Sequence, residues 1–192
     1  MFTLTESSDE DVAKYLSRQS RLPFSYSEVG ATKSTPPPNY TVDHHRVQLG
    51  RGADVFERAV EALKRWRQFD LGWVTIAIQD VKLEKGVVVA VKARAFGLWS
   101  LNACRVVYVV DEQGPVTRFG FAYGTLPDHI ERGEERFLIE WNRGDDGVWY
   151  DILAFSRPRH PLVRFGFFVA RAMQKRFARD SLARMRSITN HS

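Results

Sequence analysis

The densest cluster of residues able to do chemistry lies between Gly120 and Phe137, where His129 stands among Asp128, Glu131, Glu134 and Glu135. A histidine beside carboxylates can exchange protons at neutral pH or contribute metal ligands. His129, Glu134 and Glu135 are therefore the candidate catalytic residues, with His129 answering to either glutamate. A metal would need a third ligand, and the spacing supplies none, so no metal site is assigned and no cofactor is implied. The plainer reading of Glu135 and Arg136 is a structural salt bridge. The connection carrying these residues is expected to run to about ten residues, more than a simple hairpin needs.

Other reactive types carry weaker signals. His44 and His45 are adjacent in an extended segment, so they point to opposite faces and cannot share one metal. Cys104 lies among Ala103, Val106 and Val107 and reads as a small buried hydrophobe, not a nucleophile. Asp151 on a core strand needs a partner, for which Arg118 and Arg105 are candidates, and Arg136 is expected to clamp a carboxylate on a neighbouring strand or loop. Gly50-Arg51-Gly52 precedes a helix as phosphate loops do, but Val55 takes the place of the third glycine and no Gly-Lys-Ser/Thr follows. There is no Gly-x-Ser-x-Gly elbow.

The elements that must position these residues follow from periodicity. Val12, Tyr15 and Leu16 predict a short helix over 9–19, capped by Ser8 with Asp11. Pro23, Gly30 and the Pro36-Pro37-Pro38 run exclude regular structure over 21–40, so residues 1–39 are read as an extension and 40–188 as the main domain. A strand over 40–49 precedes a helix over 54–68, whose cap pair is Asp54 and Glu57. Six segments rich in Val, Ile, Phe, Tyr and Trp follow, at 73–79, 86–95, 103–110, 116–123, 135–142 and 147–156. Short turns between them predict an antiparallel meander. Pro158 and Pro161 then open a helix over 161–187, with Leu162, Phe165, Val169, Met173 and Phe177 as its apolar stripe.

The chain has 192 residues, 44% of them hydrophobic, and one cysteine. That suffices for a core and excludes a disordered chain, a disulfide framework and a cysteine-based zinc site. No run reaches the ~20 apolar residues of a membrane span, and no signal peptide is visible, so a cytoplasmic protein is expected. The net charge of +5 is uneven: residues 157–192 carry nine Lys and Arg side chains against Asp180 alone. Such a patch suits phosphates or an anionic lipid surface. Its arginines lie mostly off the apolar stripe and are expected to be exposed, with pairing to the acidic body favoured over a membrane role. They are not interleaved with exposed aromatics, which argues against nucleic acid.

Strand, helix, six-strand meander and long C-terminal helix make a helix-grip. This α+β order resembles the superfamily of birch-pollen allergens, lipid-transfer START domains and polyketide cyclases, in which a curved seven-stranded sheet wraps the last helix and leaves a cavity. Tyr123-Gly124-Thr125-Leu126-Pro127, His129 and Gly133-Glu134-Glu135-Arg136-Phe137 resemble the signature of uncharacterised protein family 0548. So does Ala154-Phe155-Ser156-Arg157-Pro158, leading into a helix with Gln174, Arg176 and Phe177, and the likeness covers roughly residues 23–188. The resemblance implies a hydrophobic small molecule as partner, and the surplus of large apolar residues on sheet and helix points to a cavity lined by Phe119, Phe121, Tyr123, Trp141, Leu153, Phe165, Val169 and Met173. A cyclase- or hydrolase-like enzyme using His129, Glu134 and Glu135 is the alternative. A docking module using the basic helix is a third reading. Oligomeric state is left open.

Overall fold

The computed structural model describes residues 2–78, 81–158 and 167–190. In chain order these form β1 (Phe2–Thr3), α1 (Asp9–Gln19), β2 (Thr41–Arg51), α2 (Ala53–Lys64), β3 (Val74–Ile76), β4 (Val88–Ala95), β5 (Leu98–Glu112), β6 (Val116–Thr125), β7 (Glu131–Asn142), β8 (Gly147–Pro158) and α3 (Phe167–Asn190). The antiparallel sheet runs β2-β8-β7-β6-β5-β4-β3, and the two-residue β1 pairs with β5. The first long strand thus closes against the last, and the five strands between them follow in chain order. Phe96 and Gly97 both take positive φ, 52° and 78°, giving the tight two-residue turn between β4 and β5.

Alternation along the strands sorts the sheet into two faces. Phe119, Phe121, Phe137, Ile139 and Tyr150 pack on the concave side with Leu63 and Trp66 of the α2 region and Met185 of α3. Burial of these side chains drives the wrapping, at roughly 1.5–3 kcal/mol per large residue. Polar contacts then set the position of α3. The Tyr150 hydroxyl meets Ser181 Oγ at 3.1 Å, and the Trp73 indole donates to Asp180 at 3.0 Å. The part of the expected helix before residue 167 lies outside the described residues.

The convex face is covered by the N-terminal segment. Tyr15 of α1 donates to the Leu101 carbonyl and accepts from the Ala103 amide, both at 3.2 Å, so it pairs with the backbone of β5. The Ser25 amide donates to the Thr125 carbonyl at 3.0 Å, and Arg105 donates to the carbonyls of Ser20 and Leu22 at 2.8 and 2.9 Å. These bonds cross the boundary expected near residue 40. The Ser8–Asp11 capping box forms as the spacing predicts.

Some local expectations are corrected. Helix α2 starts behind Gly52 with no side-chain cap, so Asp54 does not cap it. It stops at Lys64 because Trp66 turns left-handed, at φ 56°, and donates its indole N–H to the Val81 carbonyl at 3.0 Å. The long connection before β7 is also shorter than expected. Strands β6 and β7 stay paired as far as Gly124 and Glu134, leaving only residues 126–130 between them. Thr125 extends the contact between the two strands, its hydroxyl accepting from the Gly133 amide at 3.0 Å and donating to the Gly133 carbonyl at 3.3 Å.

The arginines of α3 mostly pair within the molecule. Arg171 binds Asp43, Arg176 and Arg179 bind Asp180, and Arg184 binds Asp70. Arg171 and Arg184 are consequently half-buried rather than exposed, while Lys175 and Arg186 are exposed.

A Cβ on Gly124 would lie 2.1 Å from the Tyr26 hydroxyl, so only glycine lets that ring lie on β6. Gly124→Ala is expected to lower unfolding free energy by about 2–4 kcal/mol in urea titrations. Tyr26→Phe, which keeps the ring and loses one hydrogen bond, should cost roughly 1–2 kcal/mol. Equal and negligible effects would mean that the segment does not clamp the sheet.

Candidate functional site

A cavity of about 530 Å3 lies between the concave face and the N-terminal half of α3. Its floor crosses the sheet. At one side it is apolar, formed by Trp73, Val74, Val91, Ala93 and Leu98. At the other it is polar, formed by Asp43, Glu131, Glu135 and Ser156. Met173, Gln174 and Phe177 of α3 form the roof. Three apolar lining residues face solvent, Phe96 at 83%, Val169 at 47% and Leu98 at 42% exposure, and they mark the mouth. The size suits one small organic molecule.

The polar side is organised by the two-residue period of β7, which puts Glu131 and Glu135 on the cavity face. Tyr123 donates its hydroxyl proton to Glu135 Oε2 at 2.7 Å. Burial nevertheless pushes the Glu135 carboxyl up to about 7, against the lowering effect of Tyr123 and with help from the Glu131 and Asp43 charges. Glu131 is raised by burial too, although Gln174 and Ser156 hydrogen-bond to it. The cation in reach, Arg171, is committed to Asp43, with Nη2 donating at 2.6 Å and Nη1 completing the fork. His129 lines the cavity and its Nδ1 accepts from the Glu131 amide at 3.0 Å. Burial lowers its pKa to about 4, so it is neutral at pH 7.

The three candidate catalytic residues do not converge. Glu134 borders the cavity, but its carboxylate turns to the convex face. There it accepts from the Tyr26 hydroxyl and the Gly30 amide, each at 2.7 Å, from the Thr32 amide at 3.0 Å and from the Thr32 hydroxyl. That is a structural anchor. His129 and Glu135 share the cavity but are not hydrogen-bonded to each other among the described residues. Among those residues no three His, Cys, Asp or Glu side chains gather as metal ligands.

Of the expected lining residues, Tyr123, Val169 and Met173 line the cavity. Phe119, Phe121 and Trp141 face the same side of the sheet but are sealed by the α2 region. Lys64 Nζ sits over Phe119 at 5.1 Å, Trp66 meets Phe121 at 4.6 Å, and Phe56 meets Trp141 at 5.6 Å. Leu153 is of the same parity as Asp151 and so lies on the convex face. Phe165 is outside the described residues. His45 lines the cavity, whereas His44 points the other way and meets Asp151 at 2.6 Å. Asp151 also takes Arg136 at 2.8 Å and Arg46 at 3.5 Å. Its expected partner Arg118 goes to Glu140 at 2.8 Å, and Arg105 goes to the N-terminal segment. Buried Cys104 has its thiol pKa pushed well up by burial, so it stays protonated.

Sequence reading missed Glu131, Asn102, Ser156 and Gln174. Glu131 was reachable, since it lies four residues before Glu135 and shares its strand face. Asn102 carries no comparable signal, because its surroundings come from distant strands.

Two opposing proton linkages follow. Folding raises Glu135 from 4.5 to about 7, so the folded state binds more protons in that window and stability falls as pH rises through it. Folding lowers His129 from 6.5 to about 4, so stability falls as pH drops through that window. The wild-type profile is thus flattened between them. Glu135→Gln is expected to gain stability relative to wild type, by up to roughly 3 kcal/mol, as pH rises from mildly acidic to neutral. Urea unfolding at a series of pH values reads this difference, and parallel profiles would contradict the buried carboxyl.

The chain resembles known proteins along most of its length. A family model described as "Domain of unknown function (DUF1990)" matches residues 25–184. A UPF0548 protein of Dictyostelium discoideum is 36% identical over 204 residues, covering 96% of this chain and 94% of the relative. A UPF0548 protein of Deinococcus radiodurans is 37% identical over 191 residues, covering 93% and 94%. Among solved structures, the hypothetical protein jhp0584 of Helicobacter pylori superposes with a TM-score of 0.52 at 13% identity, covering 88% of this chain and 96% of that one. Ara h 8.0201 superposes with a TM-score of 0.50 at 12% identity, covering 79% and 98%. At such identities the likeness concerns the fold alone, and that fold is the helix-grip. The family match over most of the chain and the two relatives show that the chain belongs to the DUF1990 family of UPF0548 proteins.

Proposed function

We propose that this protein binds a hydrophobic small molecule or lipid in the cavity between the sheet and α3. The observation that carries this is the cavity itself, about 530 Å3 with a mainly apolar lining and an apolar mouth at Phe96, Leu98 and Val169. Empty apolar space is costly, because each lining atom forgoes its packing contacts. Ala93, Ala95 and Ala154 keep the floor low where larger side chains would fill it. A guest restores those contacts and leaves water, worth about 25 cal/mol per Å2 of apolar surface before association costs. A cytoplasmic setting suits a chain whose single cysteine is a buried free thiol.

The enzyme alternative loses two of its three members, since Glu134 is a structural anchor and His129 does not engage Glu135. What favours it is Glu135 itself, a carboxyl near neutrality beside a tyrosine hydroxyl in an apolar chamber. Membrane docking through α3 is disfavoured by the pairing of Arg171, Arg176, Arg179 and Arg184.

The full chain is expected to take up the neutral fluorophore N-phenyl-1-naphthylamine saturably, with a dissociation constant on the order of micromolar. Ala93→Phe, which fills the apolar floor, should weaken uptake by about tenfold or more while keeping a cooperative thermal transition. Absence of saturable uptake by wild type would contradict the proposal, and so would an unaffected Ala93→Phe.

A further inference from the structure

The cavity's polar side is unusual in what it offers a guest. Its hydrogen-bond donors are largely spent on the protein. Tyr123 gives its proton to Glu135. The Gln174 amide nitrogen gives to Glu131 and to Ser156 Oγ, and the Ser156 hydroxyl is itself hydrogen-bonded to Glu131. Arg171 is forked on Asp43 and also donates to the Gln174 carbonyl.

The acceptors are only partly spent. Neither Glu131 nor Glu135 has an ion-pair partner among the described residues, and only one oxygen of Glu135 accepts a hydrogen bond. Asn102 adds an independent sign. It lines the cavity at 6% exposure, its nitrogen donates to Ser100 Oγ at 3.1 Å, and its carbonyl oxygen is buried with no hydrogen-bond partner. An unpaired buried acceptor costs about 1–3 kcal/mol unless something donates to it. Among the described residues, the carboxylates of Asp43, Glu131 and Glu135 face a chamber served by one guanidinium, that of Arg171. The neutral His129 ring and the His45 ring beside Asp43 are the counterweights.

Such a wall rejects some guests and suits others. A fatty acid would bring a further carboxylate against Glu131 and Glu135, where like charges repel strongly at low dielectric. An alcohol brings one donor and two acceptor sites. An alkylammonium brings three donors, a positive charge and no acceptor. Deepening the binding reading above and resting on it, we propose that the cavity selects a cationic amphiphile: a protonated amine at the Glu131–Glu135 wall, with its apolar body along β4 toward Phe96 and Leu98. Asn102 receives a further N–H or O–H of the guest.

Decylamine, decanol and decanoate share one chain length and differ in the head, so their competition with N-phenyl-1-naphthylamine for the full chain isolates the head group. At about pH 8 the amine should displace the fluorophore at roughly tenfold lower concentration than decanoate, with decanol between them. In the Glu131→Gln/Glu135→Gln double variant the ratio of amine to alcohol affinity should fall toward unity. Decanoate matching or beating decylamine on wild type overturns the inference, as does a folded double variant that keeps the amine preference. The wild-type ranking decides by itself where the double variant does not fold. Failure of wild type to take up the fluorophore overturns the binding reading and this inference together, whereas uptake without head-group preference overturns the inference alone.

Discussion

Glu134 and Glu135 are neighbours in the chain and face opposite sides of one sheet, and each buried carboxylate must be compensated where it lies. On the convex side the N-terminal segment brings a tyrosine hydroxyl, two backbone amides and a threonine hydroxyl to Glu134. That arrangement ties residues 26–32 to β7 and explains the glycine at 124, over which Tyr26 must lie. On the concave side Glu135 accepts one hydrogen bond, from the Tyr123 hydroxyl, and burial holds its own proton to near neutrality. One strand thus carries an anchor and an incompletely paired carboxyl one residue apart. Satisfied polar groups hold the scaffold; the incompletely satisfied one faces the cavity.

The cavity persists because α3 is held at points rather than along a continuous seam. Met185 is buried in the main core, Ser181 meets Tyr150, Asp180 meets Trp73, and Arg171 is forked on Asp43 of β2. Between the Asp43 fork and the Met185 end, Ala93, Ala95 and Ala154 interrupt the larger side chains of the facing floor, so the helix bridges space that it does not fill. The α2 region packs large aromatics against the remaining sheet, which therefore has no room for a guest.

Much of this fold was legible in the sequence. Strand alternation in β7 and β8 separates Phe137, Ile139 and Trp141 from Arg136, Leu138 and Glu140, and Val148, Tyr150 and Ile152 from Trp149, Asp151 and Leu153. The order of elements led to the helix-grip, and the signature from Tyr123 to Phe137 led to the family. The site was less legible for identifiable reasons. Alternation says which face a residue occupies but not which helix covers that face, so Phe119, Phe121 and Trp141 were assigned to a cavity that α2 closes. For Leu153 the parity that places it with Asp151 was at hand and went unused. The pairing of Glu134 depended on where the Pro-rich segment would lie, which no local pattern encodes. Glu131 and Glu135 shared a readable face, yet their lack of cationic partners among the described residues emerges only once Arg171 is seen to be committed to Asp43.

The central claim is that the space under α3 exists to be occupied. Native mass spectrometry of the full chain, purified without denaturation and then incubated with a mixed lipid extract, tests it most directly. An adduct of small-molecule mass at one per chain, lost on denaturation, is the expected result. The bare polypeptide mass both before and after incubation would contradict it.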